Sequence, residues 1–199
     1  MSGHVAFGEG RNDAYFMQKT FERCNVDPEV MKFVAEDEEG QEISFGQQER
    51  ALRDFRRNDQ DYFVKSEGGD AGLYDVFAYS AEKIVTGQFE VTLVLDLDTD
   101  SSDATVADVQ ASLDEQFDGS MEWRERECHE EVGDLWLGAA TLADVNTEDG
   151  AEFSLVAFEN DVEAAVGCSS DDPQRERYES IRDYVGRPEV VRALVSLYG

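Results

Sequence analysis

The chain predicts an α+β fold: a central, mostly antiparallel sheet with a strand–helix–strand nucleus over 88–131 and two C-terminal helices. Three patterns carry this prediction. Gln88 to Asp98 alternates strictly, with Val91, Leu93, Leu95 and Leu97 on one face and Glu90, Thr92, Val94 and Asp96 on the other. The following segment places Val106, Val109, Leu113 and Phe117 at spacings of 3, 4 and 4, the stripe of an amphipathic helix. The tail "DDPQRERYESIRDYVGRPEVVRALVSLYG" reads as two helices separated by Gly186 and Pro188.

From the N-terminus, Asn12 to Cys24 predicts a helix through Ala14, Met17, Phe21 and Cys24. Val30 to Ala35 and Gln41 to Phe45 flank "EDEEG" as a hairpin. Gln47 to Arg57 reads as a helix. "DYFVK" and "LYDVFAYS" read as strands around the turn "SEGGDAG". After the 88–98 strand and its helix, which Gly119 ends, Met121 to Val132 alternates like a strand. Leu135 to Thr141 and Phe153 to Phe158 add two more. Asp172 is the expected cap of the first tail helix and Pro173 its opening residue. Tyr178, Ile181, Tyr184 and Val185 stripe that helix; Val191, Leu194, Val195 and Tyr198 stripe the second. The chain is expected to form a single domain over 1–199, with 1–80 as a possible smaller lobe.

Charge dominates the composition. There are 46 acidic residues against 17 basic ones, a net charge of −29 spread along the whole chain. Such charge opposes compaction in dilute salt, and the repulsion is screened when the Debye length falls to about 3 Å near 1 M. Lysine is depleted, at four against 13 arginines, and isoleucine is scarce at three against 20 valines. In these respects the chain resembles proteins of extreme halophiles, haloarchaea above all, or of viruses that infect them. The resemblance marks a lineage and no particular family. It implies that most of the negative charge answers to salt. Loosely bound monovalent cations are expected, and no cofactor is.

No apolar run is long enough to span a bilayer, and "MSGHVAFGEGRNDAYF" lacks the basic and apolar regions of a secretory signal. The expected location is the cytoplasm, or a virion if the protein is viral. Cysteines at 24, 128 and 168 form no C-x-x-C pair, which argues for free thiols in a reduced compartment.

The chemistry-bearing motifs are few. "DLDTDSSD" sets four aspartates, Asp96, Asp98, Asp100 and Asp103, within eight residues. They fit the start of an EF-hand loop, but Ser101 stands where that loop needs Gly and Ala107 where it needs Glu. The simpler expectation is a strand whose Asp96 and Asp98 face solvent, followed by a helix capped by Ser102 or Asp103, with no tight divalent site. Adjacent Cys128 and His129 point to opposite faces of a strand and so cannot converge as a catalytic pair. "GEGR" and "SEGGDAG" match no nucleotide-binding pattern, and neither is expected between a strand and a helix.

The one dense basic cluster in the first half is Arg50, Arg53, Arg56 and Arg57 in "ERALRDFRR". Internal i,i+4 pairing accounts for part of it, and bidentate contacts to a neighbouring subunit could use the rest. Val191, Leu194 and Tyr198 serve either the core or an apolar anchor. With no catalytic set, the sequence alone favours a non-enzymatic assembly subunit. Its partners would be protein subunits, as in a connector, neck or tail of a haloarchaeal virus, without direct contact to membrane or nucleic acid. A ligand-binding or regulatory domain is the alternative, and a divalent-cation-dependent hydrolase or transferase near Asp96 to Asp103 a third.

Overall fold

The computed structural model describes residues 4–24, 32–33, 62–65, 69–87, 90–97, 102–125, 130–147 and 149–198. The described strands are β1 (His4–Gly8), β2 (Lys32–Phe33), β3 (Tyr62–Lys65), β4 (Glu90–Asp96), β5 (Met121–Glu125), β6 (Glu130–Val132), β7 (Leu135–Asp144) and β8 (Gly150–Phe158). The described helices are α1 (Arg11–Arg23), α2 (Gly69–Tyr79), α3 (Ala81–Thr86), α4 (Ser102–Phe117), α5 (Val162–Val166), α6 (Gln174–Val185) and α7 (Pro188–Tyr198).

All eight strands join one sheet in the order β2-β3-β1-β4-β8-β7-β5, with β6 also on β7. The α+β class holds, and the sheet is mixed. Strands β2, β3, β1, β4 and β8 run parallel, whereas β7 is antiparallel to β8, β5 and β6. The longest ladder, β7–β8, is antiparallel, and the antiparallel ladders hold slightly more than half of the described paired positions. The expected strand–helix–strand nucleus exists as β4, α4 and β5, but its two strands do not touch. β8 and β7 lie between them. Of the expected strand from Met121 to Val132, the described residues give β5 and β6, both antiparallel to β7; residues 126–129 between them lie outside the described residues.

Helices cover both faces of the sheet. On one face, Leu73, Phe77, Ile84, Val109 and Leu113 of α2, α3 and α4 pack against Val5, Phe7, Val91, Leu93, Phe153 and Leu155. On the other, Phe16, Met17 and Phe21 of α1 join Ile181, Val185 and Leu194 of α6 and α7 against Ala6, Val94, Val156 and Phe158. This second layer overturns the solvent face expected for β4. Thr92 and Val94 are buried there, at 2% and 1% exposure, because a central parallel strand is covered on both sides. The same reason explains why β1, whose run Val5-Ala6-Phe7 shows no alternation, escapes a period-two pattern.

"LYDVFAYS" is helix and not strand. Its aromatic residues suggested a strand, yet Leu73, Tyr74, Phe77, Ala78, Ala81 and Ile84 are buried at helical spacing along α2 and α3. Burial by the tertiary fold outweighs local β preference. Gly119 ends α4 at φ +75°, as its position predicts. Ser102 and Asp103 both fall inside α4, so neither is the residue that precedes it. Asp172 does not cap α6 either. Its carboxylate accepts the backbone N–H of Ser169 at 2.8 Å, and Pro173 occupies the cap position.

The α7 stripe is rotated from the expected one. Val190, Ala193 and Leu194 are buried, Val191 is half-buried, and Val195 is 43% exposed. Gly138 admits the Trp136 indole across its backbone; a Cβ there would lie 2.5 Å from the ring. The helix expected at Gln47 to Arg57 and the hairpin strand at Gln41 to Phe45 lie outside the described residues. Lys32–Phe33, within the other hairpin arm, pairs with β3 in parallel and so extends the sheet.

Candidate functional site

In a parallel sheet the loops that follow the strands gather at the carboxyl edge. A crevice opens where two neighbouring strands send their helices to opposite faces. β1 and β4 are such neighbours. They pair in parallel from His4↔Glu90 to Phe7↔Leu93. β1 leads into α1 on one face, and β4 is followed by α4 on the other. β1 ends at Gly8 and β4 at Asp96, so the Glu9–Gly10 turn and Asp96 both lie at this carboxyl edge. "GEGR" therefore does stand between a strand and a helix, contrary to expectation, and "SEGGDAG" likewise joins β3 to α2.

Asp13, in the first turn of α1, shapes the β1–α1 turn. Its Oδ2 accepts the backbone N–H of Glu9 and of Gly10, both at 3.0 Å. It thereby satisfies donors that a helix start leaves over. Asp13 is only 4% exposed. Burial pushes its carboxyl up to about 7. The Gly10 and Glu9 N–H groups draw it back, and the charges of Glu163 and Asp161 add to the rise. One carboxylate oxygen of Glu9 and one of Asp96 are withdrawn from solvent at the same edge. Asp96 is half-buried, and not on an open face as expected. Its backbone is paired to Phe158 of β8.

A second polar group stands beside this turn. Asn12 Nδ2 donates to Glu163 Oε1 at 2.5 Å, and Arg177 Nη1 lies 3.5 Å from the same oxygen. Glu163 and Arg177 are largely enclosed, with side chains 16% and 22% exposed. Asp161 caps α5 by accepting the Ala164 N–H at 2.6 Å.

The remaining expected residues are scattered. Leu194 is fully buried in the core, and Tyr198 meets Thr92 at 2.9 Å between their hydroxyl oxygens, so both serve the α7–sheet contact. Val191 is half-buried on the same helix. Asp103 lies in α4; Asp98, Asp100, Arg50, Arg53, Arg56, Arg57, Cys128 and His129 lie outside the described residues. Cys24 and Cys168 are free thiols, and burial pushes the Cys24 thiol up to about 11. His4 contacts Glu90 at 2.6 Å at the opposite, amino edge of the same strands.

Among the described residues, no group of three or more His, Cys, Asp or Glu side chains converges as a metal cluster. No helix among them is long and apolar enough to cross a membrane. A surface groove of about 380 Å³ runs between α2 and α4, lined by Asp75, Val76, Tyr79, Ser112 and Glu115 among others.

Sequence reasoning missed Glu9, Asn12, Asp13, Glu163 and Arg177. The available signal was "GEGRND", a glycine-flanked carboxylate before a helical stripe; it acquires meaning once "HVAF" is known to be a central strand. The chain matches no family model, and neither curated proteins nor solved structures yield a match to it.

Proposed function

We propose that the protein is a divalent-cation-dependent enzyme acting on a phosphate ester, a hydrolase or phosphotransferase, with its site at the carboxyl edge between β1 and β4. The observation that carries this is that Glu9 directly follows β1 and Asp96 ends β4, adjacent parallel strands whose helices lie on opposite faces, each residue with one carboxylate oxygen withdrawn from solvent. Carboxylate oxygens suit hard cations, and Mg²⁺ commonly binds through one or two carboxylates, with water and substrate phosphate completing its shell. Two protein carboxylates are thus enough to begin such a site, and the sequence supplies Asp98 and Asp100 next along the chain. At so acidic an edge a phosphate would be repelled without a cation. A cation held by Glu9 and Asp96 would polarise the phosphoryl oxygens and offset that repulsion. The glycine-flanked turn and the Asp13 clamp keep the Glu9 backbone in place.

This promotes the third of the functions compatible with the sequence and sets aside the expectation of no cofactor. The test is phosphoester hydrolysis with bis(p-nitrophenyl) phosphate and p-nitrophenyl phosphate in 2 M KCl, with and without Mg²⁺ or Mn²⁺. Cation-dependent turnover lost in Glu9→Gln and Asp96→Asn supports the assignment. Turnover insensitive to both substitutions, or none with either ester, sinks it.

An assembly role remains a second proposal, favoured by the α2–α4 groove and by Tyr79 at its wall, 43% exposed. Its other supports have changed. Leu194 belongs to the core, and the arginine cluster lies outside the described residues. Under either role the composition supports work in molar salt, in the cytoplasm of a halophile or in a virion. Light scattering in 2 M KCl decides: a monomer at all concentrations removes self-assembly.

A further inference from the structure

We propose that Arg177, on α6, is a positioning residue for the Glu9 turn, acting through Glu163 and Asn12; this rests on the role given to Glu9 above. The contacts form one line. Arg177 Nη1 faces Glu163 Oε1 at 3.5 Å, the same oxygen accepts from Asn12 Nδ2 at 2.5 Å, and Asn12 belongs to the first turn of α1. The next residue, Asp13, holds the Glu9 and Gly10 N–H groups. The ring of Tyr178 stacks on Tyr15 at 4.0 Å and 11°, which fixes α6 against α1 one turn further along.

Charge explains why an arginine is needed. Glu163 is 16% exposed, and its charge and that of Asp161 both bear on the buried Asp13 carboxyl. Three carboxyl groups thus crowd the start of α1, and among the described residues Arg177 is the cation that contacts Glu163. Salt screens such an enclosed contact far less than surface pairs, so the arrangement keeps its value in molar KCl. The other described arginine pairs, Arg124–Glu122, Arg175–Glu179 and Arg182–Asp183, involve arginines more than half exposed and close neighbours in sequence. Such pairs contribute little. Arg177–Glu163 links two helices and is the enclosed one. Without Arg177, Glu163 would turn toward water, release Asn12, and loosen the turn that presents Glu9.

The experiment compares wild type, Arg177→Gln, Arg177→Lys, Glu163→Gln/Arg177→Gln and Asn12→Ala/Arg177→Gln in 2 M KCl. Two quantities are read: hydrogen exchange of the Glu9 and Gly10 amides by NMR, and the Mn²⁺ dissociation constant. Arg177→Gln should speed exchange at both amides and weaken Mn²⁺ about tenfold, the lower end of the effect of removing an outer partner of a metal ligand. Arg177→Lys should retain most of both properties. Glu163→Gln/Arg177→Gln, which removes both charges and keeps an acceptor for Asn12, should recover slow exchange and folds even if Arg177→Gln alone does not. Asn12→Ala/Arg177→Gln should be no worse than Arg177→Gln. Unchanged exchange at Glu9 and Gly10 in Arg177→Gln, or additive losses in the Asn12 double variant, overturns the positioning role. If the wild type binds no Mn²⁺, the cation-dependent function falls, while the amide exchange still decides whether Arg177 positions the turn.

Discussion

Asp13 Oδ2 accepts the backbone N–H of Gly10 at 3.0 Å, so a side chain in the first turn of α1 closes the loop that leaves β1. The same oxygen takes the Glu9 N–H. This clamp is made by a carboxyl whose burial pushes it up to about 7.

The stability of the fold should therefore carry a pH signature from Asp13. In the unfolded chain its carboxyl titrates in the ordinary range near 4, and in the native protein near 7. Between these values the native state binds the extra proton. The stabilisation is complete below the lower value and is lost as pH rises through the upper one. Asp13→Asn keeps an acceptor for the two N–H groups and removes the titration. Urea melts from pH 5 to pH 7.5 should show the wild type losing stability relative to Asp13→Asn, by up to about 1.4 kcal/mol per pH unit. Parallel curves would show that Asp13 does not change protonation in this window.

The C-terminal helix should be part of the folding unit. Tyr198→Phe leaves the Thr92 hydroxyl, 2% exposed, without its 2.9 Å partner. That should cost about 1–3 kcal/mol. Leu194→Ala should cost about 2–5 kcal/mol, because its side chain is fully buried. Val195→Ala, on the exposed side, should change stability by less than about 0.5 kcal/mol. Equal effects at Leu194 and Val195 would mean that α7 does not dock as described.

Salt should stabilise the fold. With a net charge of −29, melting midpoints are expected to rise strongly from 0.1 M to 2 M KCl. A midpoint independent of KCl would remove the halophile interpretation of the acidic surface.

What the sequence disclosed follows the physics of one-sided burial. The α4 and α6 stripes are legible because each presents one apolar face to the sheet with a clear period, and β4 is legible on the one face where Val91, Leu93 and Leu95 recur at every second position. Elements buried on both sides lose that period. β1 reads only as a short apolar run, and the second face of β4 was taken for solvent because Glu90 and Asp96 bracket Thr92 and Val94. Strand order was not legible, since nothing local tells β4 that its neighbours are β1 and β8. The candidate site depends on that order. Glu9 and Asp96 are far apart in sequence and share one edge of the sheet only because β1 lies beside β4, and Arg177 and Asn12 converge on Glu163 only because α5 and α6 pack by α1.

The most direct test of the account is calorimetric titration of the protein in 2 M KCl with Mg²⁺ and with Mn²⁺, repeated on Glu9→Gln and Asp96→Asn. A shared cation site predicts saturable binding in the wild type with a dissociation constant below millimolar, abolished by either substitution alone. No saturable binding in the wild type, or binding that survives both substitutions, would contradict it.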